Sequence, residues 1–186
     1  MNIQGKVVTL RAIEMEDLAL LHQWANEPEI WEGLGGWHFP YSSTSTENWI
    51  KNINNNDPKN QNFAIETPEH GLIGTINLVN IDWKNRNAFS GVSLGNKDTR
   101  GKGYALDAVM TIMRYAFDEL GLVRLDGDMI ATNKVSINFF QKRCGWEIEG
   151  IKKSWFFRKG AFHDKVVVGI TADRYKEFLI ASDYWR

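Results

Sequence analysis

At 186 residues the chain is the length of one ordinary domain, long enough to bury a core without disulfide or metal bracing. A hydrophobic share of 43% and a charged share of 24% are those of soluble globular proteins, and no apolar run approaches the ~20 residues that cross a bilayer, so no membrane partner is expected. The net charge of −1 comes without a Lys/Arg block, and a lone Cys144 and four scattered histidines offer neither a disulfide nor ligand spacing, which argues against nucleic acid and against a metal.

Residues 1–6 hold no basic segment followed by an apolar stretch, so a cytoplasmic location is expected. Val7-Val8-Thr9-Leu10 is short, β-branched and apolar and predicts an opening strand; Leu18, Leu21 and Trp24 then recur at helical spacing as far as Pro28. Thr44 and Glu47 stand in the order of a capping box ahead of Trp49, Ile50 and Ile53, which predicts a second helix ending in residues 54–58. Trp24 and Trp49 fall on the apolar faces of these helices and are expected in the core.

Phe63-Ala64-Ile65, residues 72–78 and residues 88–94 are strand-length runs bounded by Gly, Asn or Asp, and predict the antiparallel heart of a sheet. From Gly103 the period turns helical, with Ala105, Val109, Ile112, Met113, Ala116, Phe117 and Leu120 on one face and Gly121 placed to stop the helix. Val123, Leu125 and Met129 alternate with Arg124, Asp126 and Asp128 as a strand, and Asn133 caps a short helix ending near Gly145. Strands at Trp146-Glu147-Ile148, Trp155-Phe156-Phe157 and residues 166–170 close a mixed α/β (α+β) chain with no linker or repeat, kept as one domain over residues 1–186.

The chemistry concentrates in residues 94–105, which join a strand to the longest helix. Backbone N–H groups at a helix N-terminus lack intrahelical partners, and the dipole adds about half a positive charge. Gly101 and Gly103 remove the β-carbons that would hold a phosphate off those amides, and Arg100 and Lys102 add full charges. A diphosphate fits. A Walker A loop does not, because five residues rather than four separate Gly95 from Gly101, and Gly103 follows Lys102 where Ser or Thr is needed; a dinucleotide loop would want glycine at Leu106.

The run Arg100-x-x-Gly103-x-Ala105 resembles the Gln/Arg-x-x-Gly-x-Gly/Ala coenzyme A signature of the GCN5-related N-acetyltransferases, the GNAT superfamily. Residues 133–146 resemble that family's Asn-x-x-Ser/Ala-Ile…Tyr-x-Lys-x-Gly-Phe segment, and Glu149-Gly150 with residues 157–164 look like the ending of its ribosomal-protein-alanine and spermidine acetyltransferase branch. The resemblance implies a single mixed, mainly antiparallel twisted sheet flanked by about four helices, with acetyl-CoA as co-substrate and a small-molecule amine or a peptide N-terminus as acceptor; a homodimer is left open. It further implies that Ser93, Leu94 and Gly95 meet the pantetheine arm, that Arg100, Gly101, Lys102, Gly103, Tyr104 and Ala105 meet the pyrophosphate, and that Asn133 binds beside them.

Two departures from the family pattern stand out. The tyrosine that donates a proton to the leaving sulfur in many relatives is replaced by Phe140, with one extra residue before Gly145, and the carboxylate carried on the strand before the glycine turn is replaced by Phe89 or Ser90. Ser136 is then the candidate acid, as against a first-turn serine bonded to the backbone; deprotonation falls to a water relay or to a residue of the loop over residues 31–41 such as Glu32 or His38, both also candidates for the acceptor site, as against solvated surface. Trp31 and Trp37 are expected either to line an acceptor pocket or simply to pack. A catalytically idle acyl-CoA-binding sensor or interaction domain is the alternative to an active transferase.

Overall fold

The computed structural model describes residues 2–36, 39–53 and 57–186. Strands β1 (Ile3–Gln4), β2 (Thr9–Ala12), β3 (Gln61–Thr67), β4 (Gly71–Asp82), β5 (Asn87–Leu94), β6 (Arg124–Ile130), β7 (Glu147–Arg158) and β8 (Ala161–Thr171) form one sheet in the order β1-β2-β3-β4-β5-β6-β8-β7. Every neighbouring pair is antiparallel except β5 and β6. A parallel pair needs a crossover rather than a hairpin, and helix α4 (Tyr104–Arg114) with its π-helical continuation Tyr115–Glu119 supplies it.

Successive residues of a strand face opposite sides, and Ala64 and Ile65 accordingly serve two different cores. Ile65, Ile73, Ile76, Leu78, Leu125 and Val168 pack under Ala108, Met110, Ile112 and Met113 of α4. On the other face Ala64 and Leu72 meet Leu21 of α1 (Leu18–Ala25) and Ile50 of α3 (Ser43–Lys51). Between α1 and α3 lies α2 (Pro28–Gly33); α5 (Lys134–Asn138) and α6 (Ala172–Ser182) complete six helices among the described residues.

Asp107, 1% exposed in the first turn of α4, fixes that helix to the start of the chain. Its carboxylate accepts the backbone N–H of Lys6 (3.0 Å), Val7 (2.7 Å) and Val8 (2.9 Å) and the Tyr184 hydroxyl (2.7 Å).

Several details differ from the sequence expectation. Pro28 begins a helix instead of ending one, because its fixed φ and missing N–H suit the first helical position. Ser42, not Thr44, caps α3 by accepting the Ser45 N–H (3.0 Å). Helix α3 closes at Asn52, and the expected end at residues 54–56 lies outside the described residues. The inward stripe of α3 is Thr46 and Ile50, so Trp49 is 45% exposed and not core. The two strands expected around Trp146 and Trp155 are one, β7, bent where the register shifts between Lys152 and Phe156 and where Ser154 takes a φ of 50°.

Candidate active site

Strands β5 and β6 pair over three residues only, Asn87, Ala88 and Phe89 against Arg124, Leu125 and Asp126. Beyond that point both continue, to Leu94 and Ile130, with no ladder between them. A gap therefore opens in the middle of the sheet. Gly91 donates its N–H to Asn77 Oδ1 (2.9 Å) and Gly95 to Ile73 O (3.0 Å), both on the β4 side. By the two-residue alternation of a strand, the N–H groups of Val92 and Leu94 turn toward the gap. Ser93 and Gly95 do not share that direction. Gly95 matters for another reason: a β-carbon there would lie 1.9 Å from the Trp24 indole.

Past β5, Asn96 accepts the Asp98 N–H (3.0 Å) and Thr99 is fully buried, donating its hydroxyl to Asn96 O (2.6 Å), so the turn leads rigidly into α4. Gly101 and Gly103 have φ of 75° and 87°, a region that β-carbon-bearing residues avoid. The first N–H with an acceptor is that of Asp107, to Gly103 O. Those of residues 101–106 have none among the described residues. Six consecutive donors at the positive end of an eleven-residue helix define an anion cradle.

Helix α2 bridges the cradle to the rest of the site. Lys97 pairs with Glu27 (3.0 Å) and Glu29 (3.2 Å), and Arg100 reaches Glu29 (3.6 Å). At the other end of α2, Asn133 Nδ2 donates to Gly33 O (3.1 Å) while Asn133 Oδ1 caps α5 by accepting the Ser136 N–H (3.1 Å). Arg158 at the end of β7 donates to Leu34 O (2.6 Å) and Gly36 O (3.0 Å).

On the sheet face opposite α4, Asp128 stands on the part of β6 that pairs with β8 but no longer with β5. Its Oδ2 accepts Lys165 Nζ (2.6 Å), and that ammonium also lies 4.7 Å from the Trp155 ring and 5.6 Å from Phe156. A cavity of about 410 Å³ is walled by the same Trp155 and Phe156 together with Phe157, Arg158, Gly35 and Gly36. At Gly35 a β-carbon would come within 2.7 Å of the Phe156 ring, so a larger residue there would push that ring or the loop aside. Trp155 and Phe156 thus stand between this pocket and the Lys165–Asp128 pair, and Gly35 and Gly36 follow directly on the end of α2.

A family model described as an acetyltransferase (GNAT) domain matches residues 8–147. The chain belongs to the GNAT acetyltransferase family. An uncharacterized N-acetyltransferase derived from the SPbeta prophage of Bacillus subtilis is 27% identical over 172 residues, 92% of this chain and 94% of that protein. The spermidine N(1)-acetyltransferase of Vibrio cholerae is 26% identical over 169 residues, 90% and 95% of the two chains. A crystal structure of spermidine N-acetyltransferase from Vibrio cholerae in complex with CoA and spermine superposes with a TM-score of 0.82 at 25% identity, covering 92% of this chain and 99% of that one.

Within this GNAT chain the two departures from the family pattern have structural counterparts. Phe140, 8% exposed, packs edge-on against Trp146 (centroids 5.0 Å). The extra residue before Gly145 is taken up as a π-helical turn, Phe139–Arg143, which widens the helix by one residue per turn. The Ser136 hydroxyl, half-buried, has no hydrogen-bond partner among the described residues, so the backbone-bonded reading of that serine does not hold. Ser90 is buried and spends its hydroxyl on Asn77 O (2.9 Å).

Glu32 is exposed and bound to Lys159, which holds its carboxyl below the usual carboxylate range, the wrong direction for a proton acceptor. The half-buried Trp31 donates its indole N–H to Ala25 O. Trp37 and His38 lie outside the described residues. Val92, Asp128 and Arg158 are candidate site residues that the sequence did not single out. Only the polar alternation of Arg124, Asp126 and Asp128 hinted at one of them.

Proposed function

We propose that this GNAT chain transfers the acetyl group of acetyl-CoA to a primary amine by direct attack in a ternary complex, acting as a single domain. The observation that carries this reading is the run of six unpaired amides over residues 101–106 beside the gap between β5 and β6. The pyrophosphate sits on those amides, with Arg100 and Lys102 nearby. The pantetheine arm follows β5 and bonds to the N–H groups of Val92 and Leu94 rather than to those of Ser93 and Gly95. Asn133 lines the far side, where it also holds α2 in place.

The acceptor amine attacks the thioester carbon, a C–N bond forms, the C–S bond breaks, and one proton leaves the nitrogen. A lysine-like amine with pKa near ~10.4 is only ~0.04% neutral at pH 7, whereas an α-amine near ~7.8 is more than ~10% neutral. Asp128 Oδ1, without a partner among the described residues, receives the incoming ammonium; water carries one proton away before the attack, and the proton lost from nitrogen after it goes to the departing thiolate. Expelling a thiolate of pKa about 8.5 at pH 7 is uphill by about 2 kcal/mol. Hydrogen bonding from Ser136 covers that amount, so Phe140 leaves the reaction feasible; alignment of amine and thioester supplies the larger share of the acceleration.

Thiol release from acetyl-CoA, measured over polyamines, aminosugars and peptide N-termini, tests this reading. Turnover with one of these classes is expected. Coenzyme binding without turnover on every amine points to the idle sensor instead.

A further inference from the structure

Along residues 152–165 five Lys and Arg residues face one acidic residue, Asp164. Most of these cations are matched: Lys153 by Asp164 (2.9 Å), Lys159 by Glu32, Lys165 by Asp128 (2.6 Å). Lys152 lies over the Trp155 ring. Arg158 differs, with no carboxylate in reach among the described residues and only carbonyls bound to its Nη2. Its Nε–H is shut off from solvent and has no acceptor among the described residues. Such an unmet donor is rare in folded proteins; Nη1 also has no partner among the described residues, and a guanidinium is a planar fork suited to carboxylate or phosphate oxygens. Burial also lowers the Arg158 pKa, as expected of a cation that has lost water without gaining a counter-ion.

Trp155 and Phe156 of the pocket over Arg158 lie 4.7 and 5.6 Å from the Lys165 ammonium, which in turn binds Asp128 (2.6 Å) on the stretch of β6 that borders the gap. A guest lying along this line of residues meets an uncompensated cation at one end and a carboxylate at the other. A polyamine, cationic throughout, is opposed by the unmatched Arg158.

We propose that the acceptor is a small primary amine that also carries a carboxylate or a phosphate, and that Arg158 receives this acidic group while the amine enters the gap beside Asp128. The proposal rests on the N-acetyltransferase reading and assigns Arg158 the choice of acceptor.

The test is steady-state thiol release from acetyl-CoA on matched pairs: an aminosugar against its 6-phosphate, and an amino acid amide against the free amino acid, with spermidine and spermine alongside. The acidic member of at least one pair should exceed its neutral partner at least tenfold in kcat/KM, with the polyamines poorest. The two pairs separate phosphate from carboxylate. Arg158→Gln should bring the ratio close to one, mainly by raising KM for the acidic member, and Arg158→Lys should keep part of it. Loss of a merely structural contact would lower both members alike and preserve the ratio. Preference for spermidine, no gain from the acidic group, or an unchanged ratio in Arg158→Gln overturns the proposal and leaves the transferase reading standing. Absence of turnover on every amine, with coenzyme still bound, overturns both.

Discussion

The Trp24 indole occupies the space that a side chain at residue 95 would need, so α1 lies directly on the backbone where β5 ends and the turn toward the cradle begins. Gly95→Ala forces that ring or the strand end to move. Overpacking of this kind costs about 1–3 kcal/mol, and coenzyme affinity should fall with it. Trp24→Leu in the Gly95→Ala background should recover part of the stability, as a double-mutant cycle of thermal denaturation will show; additive losses would mean that the two residues do not press on each other.

Asp107 makes a second prediction. Removing its carboxylate leaves three buried or half-buried N–H groups and the Tyr184 hydroxyl without an acceptor. Asp107→Ala should therefore cost roughly 3 kcal/mol or more, and Tyr184→Phe about 1–2 kcal/mol. Denaturant titration reads both, and equal losses would contradict the central place given to the carboxylate.

How far the sequence reaches is clear from particular residues. The α4 stripe and the glycine turn were legible because both are local: apolar spacing of 3.6 and two glycines with positive φ need no knowledge of distant segments. The β5–β6 gap is not local, since it depends on where a ladder between residues some 35 apart stops. Asp107 resembles any acidic residue in a first helical turn, and its partners lie about 100 residues earlier. Arg158 is one cation among several in its hairpin, and only the pairing of the others singles it out. Pro28 was ambiguous for a physical reason, being equally suited to stop one helix and to start the next. The spacing that showed one extra residue before Gly145 carried real information, and the π-helical turn is its outcome.

Cys144 is 0% exposed and burial pushes its thiol well above the usual range. The native protein should therefore be inert to a thiol reagent at pH 8, with one thiol titrating only after denaturation. Fast labelling of native protein would place Cys144 elsewhere. The same inertness keeps this residue out of any thiol-release assay.

Acid sensitivity should centre on Asp17. Burial alone would raise its carboxyl, but the Arg11 fork at 2.8 and 2.9 Å, together with the Glu14 N–H, outweighs burial and holds it below its ordinary value. Such a depressed carboxylate stabilises the fold fully above its unfolded pKa of about 3.9, and the contribution is lost as pH falls through the lower folded value. Melting temperature should thus hold steady down to about pH 4 and then drop, with a shallower drop in Asp17→Asn. An identical acid profile in that variant would contradict the assignment.

The account stands on the cradle at residues 101–106, and coenzyme A binding by titration calorimetry probes it most directly. At Gly103 a β-carbon would meet nothing within 4 Å, so Gly103→Val disturbs the turn conformation and little else. Combined with Arg100→Ala, it should weaken coenzyme A binding at least tenfold while the circular dichroism spectrum stays that of the parent protein. Undiminished affinity in this double variant would contradict the account.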